Sequence, residues 1–420
     1  MSFTSIPILD LSLAQDPATK PGFLAELRHA LMEVGFLYLK NVGIPAELFG
    51  QVIEEGKAFF DIPMEEKYDP AAVTCRLQPA ERLRRLKIEM KNAPSFLGYS
   101  RLSAEITAGA IDHREQIDLS TEHPLPGPDA PRYYNLLAPN QWPSPDVLPN
   151  FRPAFTEYMK RMGSISIYFT SLIAEAIGLP RHAFEKYFDA DQQHKLKIVK
   201  YPDVGTLGAA GKDGNQGVGP HKDSMLTSYL LQASHHRGLQ VQNMRGEWID
   251  CPPVDGTLVV AIGQGLEALT QGVCVSTTHR VLSPPAGAGP RFSIPFFQGV
   301  SGDAEFEDLE RVGVGRVPDH VRKMREQVLQ RNGGRRLDDV EFTFRKGGAA
   351  RTLGEATLRN RVKSHPDVGE RWYPDILASV REEQAQLKQQ QQQQQEKAEE
   401  GARREAIQGP VTSSKPVEAH

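Results

Sequence analysis

The stretch TLVVAIGQGLEALTQGVCVSTTHRVLSPPAGAGPRFSIPFF, residues 257–297, holds three short apolar runs separated by glycine and proline clusters. TLVVAIG, VCVSTTHRVL and RFSIPFF are each of strand length, and the punctuation between them marks turns. Working outward, KLKIVKYP, MLTSYLLQ, GLQVQN and EWIDC have the same texture from residue 195 onward. Several short strands at this spacing predict a sandwich or barrel over 195–300.

Upstream, the pattern is helical and mixed. IPILDLS opens with alternating apolar residues, a short strand. Phe23, Leu27, Ala30, Leu31 and Val34 share a helical face, and Gly35 is placed to stop that helix. FLYLK reads as a strand, NVGIP as a turn, and 47–60 as a helix burying Leu48, Val52, Phe59 and Phe60. Residues 121–150 are proline-rich and read as an extended connection. Phe155, Met159, Met162, Phe169, Ile173 and Ile177 then recur near the helical period, so 151–177 predicts one helix of roughly 40 Å.

The segments are therefore an N-terminal region (1–130), a linker with a long backing helix (131–194), a strand-rich core (195–300), an extension (301–388) and a glutamine-rich tail (389–420). In the extension, HPDVGERWYPDILASVREEQAQL predicts a last packed turn and helix. The tail opens with seven glutamines and is too polar to offset its ordering entropy, so disorder is expected there.

Among 420 residues, 39% are apolar and 24% charged, and the formal net charge is only -4. That balance gives no electrostatic case for nucleic acid or an anionic membrane as partner. Three cysteines, Cys75, Cys251 and Cys274, form no CxxC pair and suit a reducing compartment. No apolar run is long enough for a bilayer, and no signal peptide precedes IPILDLS, so a cytoplasmic protein is expected. The basic stretch 75–92 reads as a solvated face.

GPHKDSML, residues 219–226, places His221 and Asp223 two apart. On a strand they would project from one face. STTHRVL supplies His279, and two histidines with one carboxylate on one side of an ion leave positions open, as non-haem Fe(II) oxygenases require. A structural zinc site would need a fourth ligand, usually a thiolate. In RFSIPFF, Arg291 and Ser293 also share a face and can grip a carboxylate. Tyr201 is a third candidate for that cavity. His235 and His236 read as loop residues, and Cys251 and Cys274 as buried small side chains.

These motifs, in this order, resemble the isopenicillin N synthase-like group of 2-oxoglutarate- and Fe(II)-dependent dioxygenases. IPILDLS, GFLYLKNVGIP and FFDIPMEEKY resemble its N-terminal region; KIVKYP, HKD, GLQVQ, the run 246–272, THRVL and RFSIPFF resemble its catalytic core. The resemblance implies an α+β protein with a double-stranded β-helix (jelly-roll) core, an N-terminal α/β region and flanking helices. It implies His221, Asp223 and His279 as Fe(II) ligands, and Arg291, Ser293 and Tyr201 on the distal carboxylate of 2-oxoglutarate. O2-dependent hydroxylation or desaturation of a small, mostly apolar metabolite, as in natural-product biosynthesis, is then expected. An oxidase that uses no 2-oxoglutarate, or a non-catalytic metal-binding jelly roll, stays open at this point.

The chain also departs from the family. Val199 stands where an asparagine is common, Gln264 where an aspartate is usual, and Val42 where a histidine is frequent. His113 and Arg114, in IDHREQIDL, match positions that often line the substrate entrance, against a plain surface reading. The glycine-rich 205–219 reads as a lid or rim loop.

Overall fold

Ile8–Asp10 (β1) pairs in parallel with Phe36–Lys40 (β2). Between them Lys20–His29 is an α-helix that runs on as a π-turn over Ala30–Val34. Gly35 ends it at φ 70°. A Cβ there would lie 2.3 Å from Val275 O and 2.4 Å from Thr277 Oγ1, so both the backbone conformation and the packing demand glycine. Ala46–Asp61 is the second helix and buries Leu48, Val52, Phe59 and Phe60, as its spacing predicts. The long helix is Phe151–Ala176. The computed structural model describes residues 2–67, 88–107, 109–207, 215–305, 317–333, 350–386, 389, 392 and 393.

Among the described residues, twelve further strands follow β2. They are Gly98–Ser100 (β3), Ile106–Thr107 (β4), Ala110–Ile111 (β5), Glu115–Ser120 (β6), Lys195–Tyr201 (β7) and Gln216–His221 (β8). Then come Thr227–Gln232 (β9), Leu239–Gln242 (β10), Trp248–Asp250 (β11), Thr257–Ile262 (β12), His279–Leu282 (β13) and Arg291–Phe297 (β14). One sheet has the order β1-β2-β12-β9-β14-β7-β6-β3 and a second the order β11-β10-β13-β8; β4 and β5 form a small hairpin. Apart from β1 and β2, neighbours run antiparallel.

Strand alternation sorts the core into two layers. Leu196, Ile198, Leu258, Val260, Ile294 and Phe296 point one way, onto Phe155, Met162 and Phe169 of the long helix. Tyr201, Val199, Val259 and Ala261 point the other way, onto Val218, Leu239, Val241 and Val281 of the four-stranded sheet. Two sheets packed face to face, with helices behind the larger one, are the sandwich that the strand pattern predicts and the jelly roll that the family resemblance implies.

Four of the eight strands in the large sheet, β1, β2, β3 and β6, come from the first 130 residues. The patterning gives no sign of β3 or β6. β6 reads EQIDLS and is buried along most of its length, so polar residues occupy positions where alternation would place apolar ones. VCVSTTHRVL is a strand only in its last four residues. GPHKDSML is a larger correction: β8 ends at His221, and Asp223 lies in the bend beyond it.

After residue 300 the described helices are Asp319–Arg331, Leu353–Ser364, Pro366–Trp372 and residues 374–386. The last two realise the expected terminal turn and helix. The Leu353–Ser364 helix is an addition to the sequence reading, although Thr352 and Glu355 cap it reciprocally in a readable T-x-x-E box. Residues 75–87, including Cys75, residues 208–214 of the glycine-rich loop, and nearly all of the tail lie outside the described residues. No helix among the described residues is long and apolar enough to cross a membrane.

His194 links β7 to the segment after β14. Its Nδ1 accepts from the Gly299 N–H at 3.0 Å and its Nε2 lies 2.8 Å from Gln192 Oε1, an arrangement that holds the ring neutral. Burial pulls its pKa down from the ordinary 6.5 to about 4. The unfolded chain therefore takes up a proton as pH falls through about 6.5, while the folded one does not until about 4. This stability is full above the upper value and is lost on acidification through that window, up to about 3 kcal/mol. The expected outcome for His194→Gln is a lower melting temperature at pH 7 with a shallower decline from pH 6.5 to 4. A decline as steep as that of the wild type in thermal melts would refute this account.

Candidate metal centre and cosubstrate site

β8 and β13 bring the two histidines together. His221 and His279 are register partners across the pair, with ring centroids 4.2 Å apart. Each ring is turned by its Nδ1. His221 Nδ1 lies 2.8 Å from Gly219 O, and His279 Nδ1 lies 3.2 Å from Thr277 O. Donation to those carbonyls leaves both Nε2 atoms free to ligate. Each Nε2 lies 3.8 Å from Asp223 Oδ1, and the ligand atoms of the three residues all fall within 4.8 Å of one another. Burial is the first cause that lowers both histidine pKa values, His279 to about 4 with His221 adding to the effect. Both rings are thus neutral near pH 7, the form a metal needs.

Asp223 reaches this position through the bend after β8, not through strand alternation. Its carbonyl accepts from the Gln264 N–H at 2.7 Å, and Oδ2 accepts a hydrogen bond from Ser228 Oγ. Gly265 N–H donates to Ser224 O and Gly263 N–H to Leu226 O. The bend is thus laced to the start of the short Gln264–Leu269 helix. Gln264, where an aspartate was expected, is buried here and supplies its backbone N–H.

Across the cavity, Arg291 opens β14 opposite Tyr201 of β7. Its side chain is 1% exposed and stands over the Tyr201 ring, 5.1 Å from the centroid. Nη2 donates to Gln232 Oε1 at 3.2 Å, while Nη1 is buried and finds no hydrogen-bond partner among the described residues. Ser293 follows on the same face, also buried. A buried guanidinium with an unused donor is costly unless an anion meets it. This donor set fits a carboxylate, and the His–Asp–His set opposite fits a divalent ion of the Fe(II) type with open positions. Both sets line one cavity of about 360 Å³ between the sheets.

The chain belongs to the 2OG-Fe(II) oxygenase superfamily. The model of that superfamily matches residues 193–300, and the model described as the N-terminal part of non-haem dioxygenase in morphine synthesis matches 6–72 and 78–145. A 2-oxoglutarate-dependent dioxygenase, frbJ, of Dothideomycetidae sp. (strain 11243) is 64% identical over 92% of this chain and 97% of its own length. A homoarginine-6-hydroxylase of Glycine max is 32% identical over 73% of this chain and 89% of its own. Among solved structures, a full-length Neurospora crassa protein in complex with alpha-KG and thymine has the same fold. Its TM-score is 0.60 at 22% identity, covering 85% of this chain and 96% of that one. This oxygenase therefore uses Fe(II) and 2-oxoglutarate.

Other expectations resolve residue by residue. His113 and Arg114 are both buried, which excludes the surface reading. Arg114 lines the cavity, and His113 Nδ1 lies 3.2 Å from Ser103 Oγ. Val199 packs in the inter-sheet core, and Val42 is buried too. His235 and His236 stack on each other in a loop. Cys251 and Cys274 are free and buried, and burial pushes both thiols up to about 12. The sequence reading missed Ser228, the Gln264 N–H and, Arg114 apart, a group of charged residues at the far end of the cavity.

Gly263 gives a test of how the Asp223 bend is held. A Cβ there would sit 1.9 Å from Met225 O, inside the bend. Gly263→Ala is expected to displace the 223–226 segment and weaken Fe(II) binding at least tenfold, a change on the order of 1.4 kcal/mol. Anaerobic Fe(II) titration measures this, and unchanged affinity in a folded variant would exclude the positioning role.

Proposed function

We propose that this oxygenase hydroxylates a small metabolite with His221, Asp223 and His279 as the Fe(II) ligands. In this reading Arg291, Ser293 and Tyr201 hold the distal carboxylate of 2-oxoglutarate. The observation that carries it is the facing pair: three neutral-or-anionic ligand atoms within 4.8 Å, and a buried arginine whose Nη1 has no hydrogen-bond partner among the described residues. Bound iron with 2-oxoglutarate supplies O2 activation, one oxygen atom ending in succinate and the other in the product. The protein's own part is to bind, orient and exclude water. Gly219 O and Thr277 O fix the imidazoles, Ser228 Oγ holds Asp223 Oδ2 so that Oδ1 faces the ion, and Gln232 steadies the Arg291 fork.

Residues 195–300 carry the chemistry in this reading, and 1–130 together with 301–388 shape the substrate end. The activities of two relatives, the homoarginine-6-hydroxylase of Glycine max and a clavatol oxidase of Penicillium crustosum, favour a small molecule with an oxidisable C–H bond as substrate. The free buried cysteines favour a reducing, cytoplasmic setting.

Asp223→Ala is expected to abolish Fe(II) binding. Arg291→Ala should retain iron while weakening 2-oxoglutarate roughly 30-fold or more, because a buried charge loses its partner. The readout is the visible charge-transfer band when anaerobic protein receives Fe(II) and then 2-oxoglutarate. Unchanged cosubstrate affinity in the arginine variant would sink that assignment.

A further inference from the structure

β7 carries two different kinds of residue on its cavity face. Tyr201, at one end, belongs to the cosubstrate grip. Lys197 and Lys195 follow on the same face at two-residue intervals, roughly 13 and 20 Å along the strand. Val199 separates them from Tyr201. 2-Oxoglutarate is too short to span that gap, so the lysines form a second charged region.

The lysines do not stand alone there. Lys197 Nζ lies 3.4 Å from Glu105 Oε1 and 3.6 Å from Asp118 Oδ1, its register partner on β6. Arg114 Nη2 lies 2.8 Å from Glu105 Oε2 and 3.3 Å from Asp112 Oδ2. Arg361 reaches in from the Leu353–Ser364 helix, with Nη1 3.2 Å from Asp118 Oδ1. His365 Nε2 is 3.7 Å from Glu105 Oε1, and burial first of all keeps its pKa below the ordinary value, so it adds no charge. Four basic side chains, Arg114, Lys195, Lys197 and Arg361, therefore face three carboxylates, Glu105, Asp112 and Asp118. With Lys195 protonated, one positive charge is in excess among these described residues.

Lys195 is where that excess lies. Its ammonium donates to Leu136 O at 2.6 Å, and no carboxylate among the described residues lies within ion-pair distance of it. Burial first, then Arg361, pulls its pKa down to about 7. Arg114 Nε, in the same layer, is buried with no hydrogen-bond partner among the described residues. Uncompensated buried cations destabilise a protein unless an anion joins them. Lys195, Lys197, Arg114, Arg361 and Glu105 all line the cavity that holds the iron site. Arg361 lies outside the residues matched by either family model, so this layer is supplied in part by the chain's own C-terminal extension.

We propose that the far end of the cavity is a substrate subsite for a monoanionic carboxylate, held by Lys195 and Arg361. The substrate is then a carboxylic acid, such as an amino acid, bound by its acid group while a remote carbon faces the iron. This rests on the preceding assignment of the iron and 2-oxoglutarate site. A single excess charge suits a carboxylate better than a dianionic phosphate.

The test uses anaerobic protein loaded with Fe(II) and 2-oxoglutarate, titrated calorimetrically with matched probes. L-Arginine is compared with agmatine, L-homoarginine with its decarboxylated amine, and hexanoate with hexyl phosphate. The expected result is at least one acid binding tenfold or more tighter than its amine, and hexanoate ahead of hexyl phosphate. Lys195→Met or Arg361→Gln should remove roughly tenfold to a hundredfold of that preference. Lys195→Arg should keep it, and the iron–cosubstrate band should stay unchanged in all three variants. A panel in which no acid outperforms its amine, whether both bind or neither does, overturns the subsite. So does a preference that survives in both Lys195→Met and Arg361→Gln, or a phosphate that binds more tightly than the carboxylate. Loss of the band in the wild type would instead bring down the iron-site assignment.

Discussion

Burial of the large sheet on both faces is the constraint on which the rest of this structure depends. β7, β12 and β14 each send alternate side chains to opposite sides. One set, including Ile198, Val260 and Phe296, meets the long helix. The other set, including Tyr201, Arg291 and Ser293, meets the second sheet and the cavity. A slip of one residue in β14 would drive Arg291 into the helix layer and lift Phe292 or Ile294 into the site. The apolar layer therefore fixes the register that the chemistry requires, although none of its residues touches the cavity chemistry itself.

The cavity brings an unusual density of charge into the protein interior. At the iron end the cost is contained by geometry: neutral imidazoles, each oriented by a backbone carbonyl, surround one carboxylate held by Ser228. Across the cavity, Arg291 is only partly satisfied by Gln232. At the far end, ion pairs interlock three carboxylates with Arg114, Lys197 and Arg361, and Lys195 is left with a carbonyl partner. Buried polar groups of this kind cost stability unless ligands complete them. Arg291 Nη1 and Arg114 Nε are thus left buried without hydrogen-bond partners among the described residues, unlike structural ion pairs, which close on themselves.

The peripheral segments take part in this arrangement. The first 130 residues supply half of the large sheet, and β6 brings Asp118 to Lys197. The Leu353–Ser364 helix contributes Arg361, while Leu358 and Val362 on its other side pack with Phe96 and Tyr373. Segments that look accessory in the sequence thus build the cavity walls farthest from the His–Asp–His cluster.

The sequence by itself determined most of the scaffold. Periodicity placed the four N-terminal elements, the long helix and the strands of 195–300, because apolar spacing reports which face each element must bury. It also supplied the ligand types, since His221, Asp223, His279, Arg291 and Ser293 are chemically suited to iron and carboxylate wherever they fall. What only the tertiary structure decided was convergence. Asp223 was expected on a strand but reaches the site from a bend, held by Gln264 N–H and Ser228, which lie 41 and 5 residues away in the chain. β6 escaped the pattern because its buried positions are polar, and such positions are stable only when partners arrive from elsewhere. Asp118 needs Lys197 and Arg361, and Arg114 needs Glu105. Local spacing records the demand to bury apolar surface; it carries no record of which distant charge will meet a buried one.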